Sequence, residues 1–204
     1  MQHFGEKVHL ISQRTDQNHN VEENNMARNE DLEIIKRCLE GKRSAQKELY
    51  DSISAKMFAV CLRYMGERES AMDVLQEGFI SLFSKLGSYT GDGSFEGWAR
   101  KIFVNAALMS LRKNDILKQS EEIETAWNLS SQETGAVQNV SYKELIRMIG
   151  ELPPGFRTVF NMYVVEGYSH KEIGEILGIS EATSRSQLQR ARGILQEKIK
   201  KQSD

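Results

Sequence analysis

Gly167-Tyr-Ser-His-Lys-Glu-Ile-Gly-Glu-Ile-Leu-Gly-Ile-Ser-Glu-Ala-Thr-Ser-Arg-Ser-Gln-Leu-Gln-Arg-Ala-Arg192 is the segment from which the fold can be read. Ser169 followed three residues later by Glu172 is a capping box, so a short helix begins there. Ile173, Ile176 and Leu177 mark its apolar face, and Gly178 ends it, because glycine alone turns left-handed without steric cost. Ser180 caps a second helix with an apolar seam of Leu188, Ala191 and Leu195. Two short helices about a glycine turn are a helix-turn-helix. With Leu188 inward, Ser186, Gln189 and Arg190 point outward and Arg185 lies on the flank, side chains able to bond base edges and phosphates in a major groove. A helical hairpin with a solvated polar face is the plainer alternative.

The chain as a whole, at 204 residues, suffices for one sizeable domain or two small ones. The net charge of −2 hides an uneven layout. Residues 114–140 hold five acids against Lys118 alone, whereas residues 185–201 hold six basic residues against Glu197. A local basic patch bears more on nucleic-acid binding than the total does. No apolar run approaches the roughly 18–20 residues of a membrane span, and the polar N-terminus does not resemble a signal peptide. Cys38 and Cys61 have no partner at zinc spacing and sit on apolar helical faces, so they are expected as buried thiols in a reducing cytoplasm. Two adjacent prolines and little strand-like alternation predict an all-α protein.

Residues 1–29 are polar and predict a mobile tail, with His3, His9 and His19 as unstructured side chains rather than metal ligands. Helical periodicity starts at Glu30, with Leu32, Ile35, Cys38 and Leu39 on one stripe and Gly41 as the stop. A second helix from about Ser44 carries Leu49, Ile53, Met57, Val60, Cys61 and Tyr64 inward and ends near Gly66. A third, about 67–86, buries Met72, Leu75, Phe79, Leu82, Phe83 and Leu86. On it Asp73, Gln76, Glu77 and Ile80 share a neighbouring stripe, which is either a solvated face or a docking surface. Residues 87–94 form a glycine-rich loop that lacks the Gly-Lys-Ser/Thr of a phosphate loop. A fourth helix, about 95–113, buries Phe95, Ala99, Ile102, Phe103, Ala106 and Met109. Trp98, Lys101, Asn105 and Arg112 adjoin that face. Such a set suits unpaired bases, which stack on a ring at about 1–3 kcal/mol each, although Trp98 taken by itself reads more readily as a core residue. Residues 114–140 read as a flexible acidic linker with Trp127 and Leu129 as anchors. Beyond it, Leu145, Ile146 and Ile149 mark one helix. Pro154 opens the next, where no amide donor is needed, with Phe156, Val159, Phe160, Tyr163 and Val164 as its apolar face.

These segments together resemble the extracytoplasmic-function sigma factors of bacterial RNA polymerase. The motifs are Asp73-Val-Leu-Gln-Glu-Gly-Phe79, Phe95-Glu-Gly-Trp-Ala-Arg-Lys-Ile102 with Asn105, Leu152-Pro-Pro and Tyr168-Ser-His-Lys-Glu-Ile173. The resemblance covers about residues 30–113 and 141–200. It implies two small helical domains, a region 2-like domain (30–113) and a region 4-like helix-turn-helix domain (141–204), joined by the acidic linker. It implies that Asp73, Gln76, Glu77 and Phe79 grip core RNA polymerase. Tyr89 in the 87–94 loop, with Trp98, Lys101, Asn105 and Arg112, would melt and read the −10 element of promoter DNA. Arg185, Ser186, Gln189 and Arg190 would read the −35 element. Gln189 stands where some relatives carry a histidine or an aromatic. An anti-sigma factor is a further partner that the resemblance admits, and the cytoplasm is the implied location.

Two other classes compete. A polymerase-independent helix-turn-helix regulator would need a sensing or dimerising domain, and residues 30–113 offer an aromatic-basic helix instead. An enzyme would need a nucleophile, metal or acid/base constellation, which the chain lacks. His170, the sole histidine outside the tail, is expected on the exposed side of the first helix of the motif. No cofactor, metal or small-molecule substrate is expected.

Overall fold

The computed structural model describes residues 28–113 and 142–203, and every regular element among them is helical. In chain order these are α1 (28–39), α2 (Arg43–Met65), α3 (Arg68–Lys85), a 3₁₀ turn (Leu86–Ser88) and α4 (Phe95–Lys113). After residue 141 come α5 (Tyr142–Gly150), α6 (Pro154–Phe160) running into a π-helical turn (Asn161–Val165), α7 (His170–Leu177) and α8 (Glu181–Ser203). The all-α expectation is met. The linker of 114–140 with Trp127 and Leu129, and the tail with its three histidines, lie outside the described residues.

Packing divides the described chain into two compact units. One takes residues up to Ser54 together with Ser81–Ala99; the other takes Ala55–Ile80 and everything from Arg100 on. The division by packing therefore differs from the 30–113 and 141–204 division read from the sequence. Residues 142–203 group with parts of α2, α3 and α4, and hydrogen bonds from Arg157 to the end of α2 are among the contacts that join them.

In the first unit Ile35, Cys38, Ala45, Leu49 and Ile53 are buried, as are Leu82, Leu86 and Phe95. Leu32 and Leu39, expected on the same stripe as Ile35, are 38% and 57% exposed. A 3.6-residue period with one face covered keeps only the centre of a wide stripe from solvent.

In the second unit Met57, Val60, Cys61 and Tyr64 of α2 are buried, matching the expected face residue for residue. Ala71, Val74, Leu75 and Phe79 of α3 and Ile102, Phe103, Val104, Ala107, Leu108 and Leu111 of α4 join them. Burying each large apolar side chain contributes about 1.5–3 kcal/mol. Phe79 and Phe103 meet edge to face at 5.0 Å. Gly78 lies directly against the Phe103 ring, where an added Cβ would come within 2.3 Å of it. Met72 and Met109, expected inside, are 40% and 66% exposed, because Ala71, Val74, Ala107 and Leu108 occupy the covered face instead.

Further along, Met148, Ile149, Leu152, Phe156, Val159, Phe160, Met162 and Ile173 pack with Leu188, Ala191, Ile194 and Leu195 of α8. The π turn alters the helical phase beyond Phe160. Glu166 donates its amide to Asn161 O at 3.0 Å, one residue wider than an α-turn. The extra residue rotates Tyr163, Val164 and Val165 into solvent, at 37%, 48% and 39% exposure. For Tyr163 and Val164 this reverses the inward placement read from the sequence. Asn161, by contrast, is fully buried.

Arg157 is also buried, at 7% exposure. Its Nε donates to Tyr64 O at 2.8 Å, Nη2 to Met65 O at 2.8 Å and Nη1 to Gly150 O at 2.6 Å. Burial lowers its pKa to about 10, so the guanidinium keeps its charge at neutral pH. Arg63 Nη2 donates to Glu166 Oε1 at 3.0 Å, with both side chains under a tenth exposed. Removing one partner of such a buried pair costs about 3–5 kcal/mol.

Burial holds the thiol of Cys61 at a pKa of about 12 and raises that of Cys38. Neither forms thiolate readily, and neither is accessible. A colourless-to-yellow thiol reagent at pH 8 should therefore titrate no cysteine in minutes on the native chain and both in urea. Rapid reaction of one equivalent without urea would contradict this packing.

Candidate nucleic-acid interface

The helix-turn-helix forms as its local chemistry dictates. Ser169 Oγ accepts the Glu172 amide at 3.3 Å while the Ser169 amide donates to Glu172 Oε2 at 2.8 Å, the reciprocal pairing of a capping box. The bonds from Ser169 hold the Glu172 carboxyl below its ordinary pKa. Gly178 adopts φ 72°, ψ 30°, and its amide bonds to Gly174 O at 2.9 Å. Ser180 Oγ accepts the Thr183 amide at 3.0 Å and starts α8. Gly174 lets the turn fold back on α7: a Cβ there would stand 2.8 Å from Ile179 O.

Leu188, Ala191 and Leu195 are buried as expected, and Ser184, Gln187 and Ile194 join them. Arg185, Ser186 and Gln189 are exposed, and Arg190 is half-buried. Arg185 is engaged by Glu181 one turn back. An exposed pair of this kind is worth at most about 1 kcal/mol, so a phosphate can displace it. Ser186 Oγ donates to Thr183 O at 2.9 Å.

His170 departs from expectation. It is half-buried, its Nδ1 lies 2.9 Å from Ser184 Oγ, and its ring stacks on Tyr163 at 4.3 Å. The guanidinium of Arg192 sits 6.0 Å over the same Tyr163 ring. His170 thus ties the first helix of the motif to α8. Fourteen residues separate it from Ser184, so no local sequence signal could have revealed the pairing.

On α4, Lys101, Asn105 and Arg112 are exposed and Trp98 is half-buried. The Trp98 ring leans on Tyr89 at 5.4 Å and on Phe95 at 5.7 Å. Tyr89, expected to meet DNA, is 9% exposed, and its hydroxyl donates to Gly93 O at 2.8 Å. It braces the loop and the indole from beneath, because the loop closes over its ring. Asp73, Gln76, Glu77 and Ile80 are exposed along α3. Phe79, expected among the polymerase contacts, instead faces inward against Phe103. Its position one residue before Ile80 turns it about 100° away from the exposed stripe. No cluster of metal-binding side chains occurs among the described residues, and none of their helices is long and apolar enough to cross a membrane.

Comparison with known proteins then supplies the class. Residues 49–116 match the family model described as Sigma-70 region 2, and residues 142–195 match Sigma-70, region 4. Together the two take in more than half of the chain, in the order in which the two surfaces occur. The chain belongs to the sigma-70 family, proteins that direct RNA polymerase to promoters by binding and perform no chemical step. Within that family it is a member of the extracytoplasmic-function group. The ECF RNA polymerase sigma-E factor of Haemophilus influenzae is 28% identical over 181 residues, 83% of this chain and 95% of that protein. The ECF RNA polymerase sigma factor SigE of Mycolicibacterium smegmatis is 28% identical over 160 residues, 76% of this chain and 62% of that protein. A solved sigma factor RpoE, in complex with the anti-sigma factor NepR from Bartonella quintana, aligns over 76% of this chain and 96% of that chain. Its TM-score is 0.46 and its sequence identity 18%.

Gly174→Ala should force the turn apart and lower the thermal midpoint of the chain by several degrees. Calorimetry showing an unchanged midpoint would mean the turn tolerates a methyl. Burial first, and then the Arg185 charge, push the His170 pKa below its ordinary value; Glu181 opposes them and Arg192 adds a smaller push downward. The unfolded chain then binds the proton more readily. The contribution of His170 is present above about pH 6.5 and is lost as pH falls through that value toward the folded pKa. The imidazole resonance of His170 in the native protein should accordingly titrate with a midpoint below 6.5; a midpoint above it contradicts the packing.

Proposed function

We propose an assignment of surfaces for this sigma factor. Asp73, Gln76 and Glu77 on α3, with Ile80 beside them, dock core RNA polymerase, and Phe79 supports that stripe from the core. Trp98, Lys101, Asn105 and Arg112 capture the −10 element, with Tyr89 as the brace behind the indole. Arg185, Ser186, Gln189 and Arg190 read the −35 element. Residues 30–113 and 141–204 are the corresponding functional domains, and the reading puts the protein in the bacterial cytoplasm, beside polymerase and chromosome.

The observation that carries this is the sidedness of α8. Ser184, Gln187, Leu188 and Ala191 are buried, while Arg185, Ser186 and Gln189 between them are exposed. A reading helix must offer base-edge donors and acceptors on one face only. The mechanism requires no bond-making. Phosphate contacts set register, base contacts discriminate, and a half-buried indole beside cations holds unstacked bases. Opening a base step costs a few kcal/mol, offset by stacking on the ring. Polymerase makes the second promoter contact effectively intramolecular, so modest separate affinities suffice.

Run-off transcription with purified core polymerase on genomic fragments tests the reading, since it demands recruitment and promoter choice together. The Asp73→Ala, Glu77→Ala double variant should bind core polymerase about tenfold more weakly, roughly 1.4 kcal/mol. Its C-terminal contacts to a promoter duplex should be unaltered. Undiminished holoenzyme formation in a pull-down would remove α3 from the docking surface.

A further inference from the structure

We infer that Met109 is a specificity residue: its side chain packs against the C5-methyl group of one paired thymine in the −10 element. The inference rests on the assignment of α4 to that element. It adds the one contact that an aliphatic side chain can make with a base edge.

The hydrophobic period places Met109 inside, yet it is 66% exposed, because Ala107 and Leu108 take the covered face of α4. One exposed methionine is ordinary on a solvated face. Met109 does not stand on such a face. It follows Lys101 by eight residues and Asn105 by four, and it precedes Arg112 by three, spacings that put all four on one side of a helix. At 100° per residue they fall within about 80° of one another. All four are exposed. Whatever lies on Asn105 and Arg112 lies on Met109 as well.

Charge selects nucleic acid as the occupant. Arg112 and Lys113 close the last turn of α4, and its single acid, Glu96, is in the first turn. Ile80 on α3 is similarly bare at 71% exposure, but it shares its stripe with Asp73 and Glu77, which repel phosphates. Of these two apolar side chains, Met109 is the one whose neighbours hold phosphates.

The chemistry of the groove then fixes the contact. Base edges in the major groove present donors and acceptors, and thymine adds the one apolar group, its methyl. An asparagine amide matches the adenine edge in that same groove. Met109 stands one turn beyond Asn105, about 6 Å along the axis at 1.5 Å per residue. That is under two base steps of about 3.4 Å, so a neighbouring base pair is within reach. An unstacked base offers a flat face, which suits the ring of Trp98. A methionine is unbranched and turns about three bonds, which suits a methyl standing off an edge. Trp98 lies eleven residues away on α4, about 16 Å along the axis, so one base cannot meet both. Met109 reads a paired thymine while the indole holds an unpaired base.

Deoxyuridine tests the contact, since it pairs as thymidine does and lacks only the methyl. Promoter fragments found by run-off transcription are resynthesised with deoxyuridine at each −10 thymidine in turn. Binding of holoenzyme made with the full chain is then measured by competition. Wild type should lose about fourfold at one thymidine, the worth of one buried methyl. Met109→Ala should lose the same factor on the unmodified promoter and be indifferent to deoxyuridine at that position. Met109→Leu should keep the discrimination, and both variants should retain wild-type helical content because the side chain is exposed. Wild-type indifference to deoxyuridine at every position, or losses from Met109→Ala and deoxyuridine that simply add, overturns the contact. So does a Met109→Ala chain that binds core polymerase more weakly without DNA, which makes the face a protein contact. Asn105→Ala separates this failure from failure of the surface assignment. Weakened −10 binding with a flat deoxyuridine series overturns the Met109 contact alone, whereas undiminished binding removes α4 from the element and Met109 with it.

Discussion

Every helix in this chain faces the same demand, that its terminal peptide groups find partners once they leave water. The ends are answered in different ways, and the differences organise the molecule. Ser169 and Glu172 close the start of α7 within three residues, Gly178 closes its end, and Ser180 opens α8. At the end of α2 no nearby side chain serves. Its carbonyls are met by Arg157 and Asn161, from beyond the acidic segment. The local solutions make a reading module; the distant one decides what that module packs against.

The helix-turn-helix is stiff, since its caps, its Gly174 close approach and the His170–Ser184 bond all constrain one geometry. A reading helix gains from this, because side chains held in advance lose less freedom on meeting DNA. The contact at the end of α2 is polar, and Arg63 Nε, Tyr64 Oη and Asn161 Oδ1 beside it have no hydrogen-bond partner among the described residues.

The same logic explains why two aromatic residues that the family resemblance assigns to binding surfaces are supports. Phe79 and Tyr89 adjoin the surfaces to which the resemblance assigns them, yet both rings are covered. A large ring beneath an exposed stripe fixes the backbone that presents Asp73, Gln76 and Glu77, or the indole of Trp98. Their identity therefore bears on recognition indirectly, through the stiffness of what lies above them.

Amino-acid order was enough for the all-α class, the capped helix-turn-helix, the inward face of α2 and the outward set of Arg185, Ser186 and Gln189. Each of these depends on neighbours within about one or two helical turns, and hydrophobic period, cap residues and glycine stops are written at that range. Long-range packing, by contrast, turns Arg157, Asn161 and Glu166 inward, lets a π turn cast Tyr163 and Val164 outward, and leaves Met109 and Leu39 wet. A buried polar side chain in an apolar helix carries no local mark of its partner. Its place is set by a carbonyl or carboxylate nearly a hundred residues off, and pairing at that distance is a property of the packed chain.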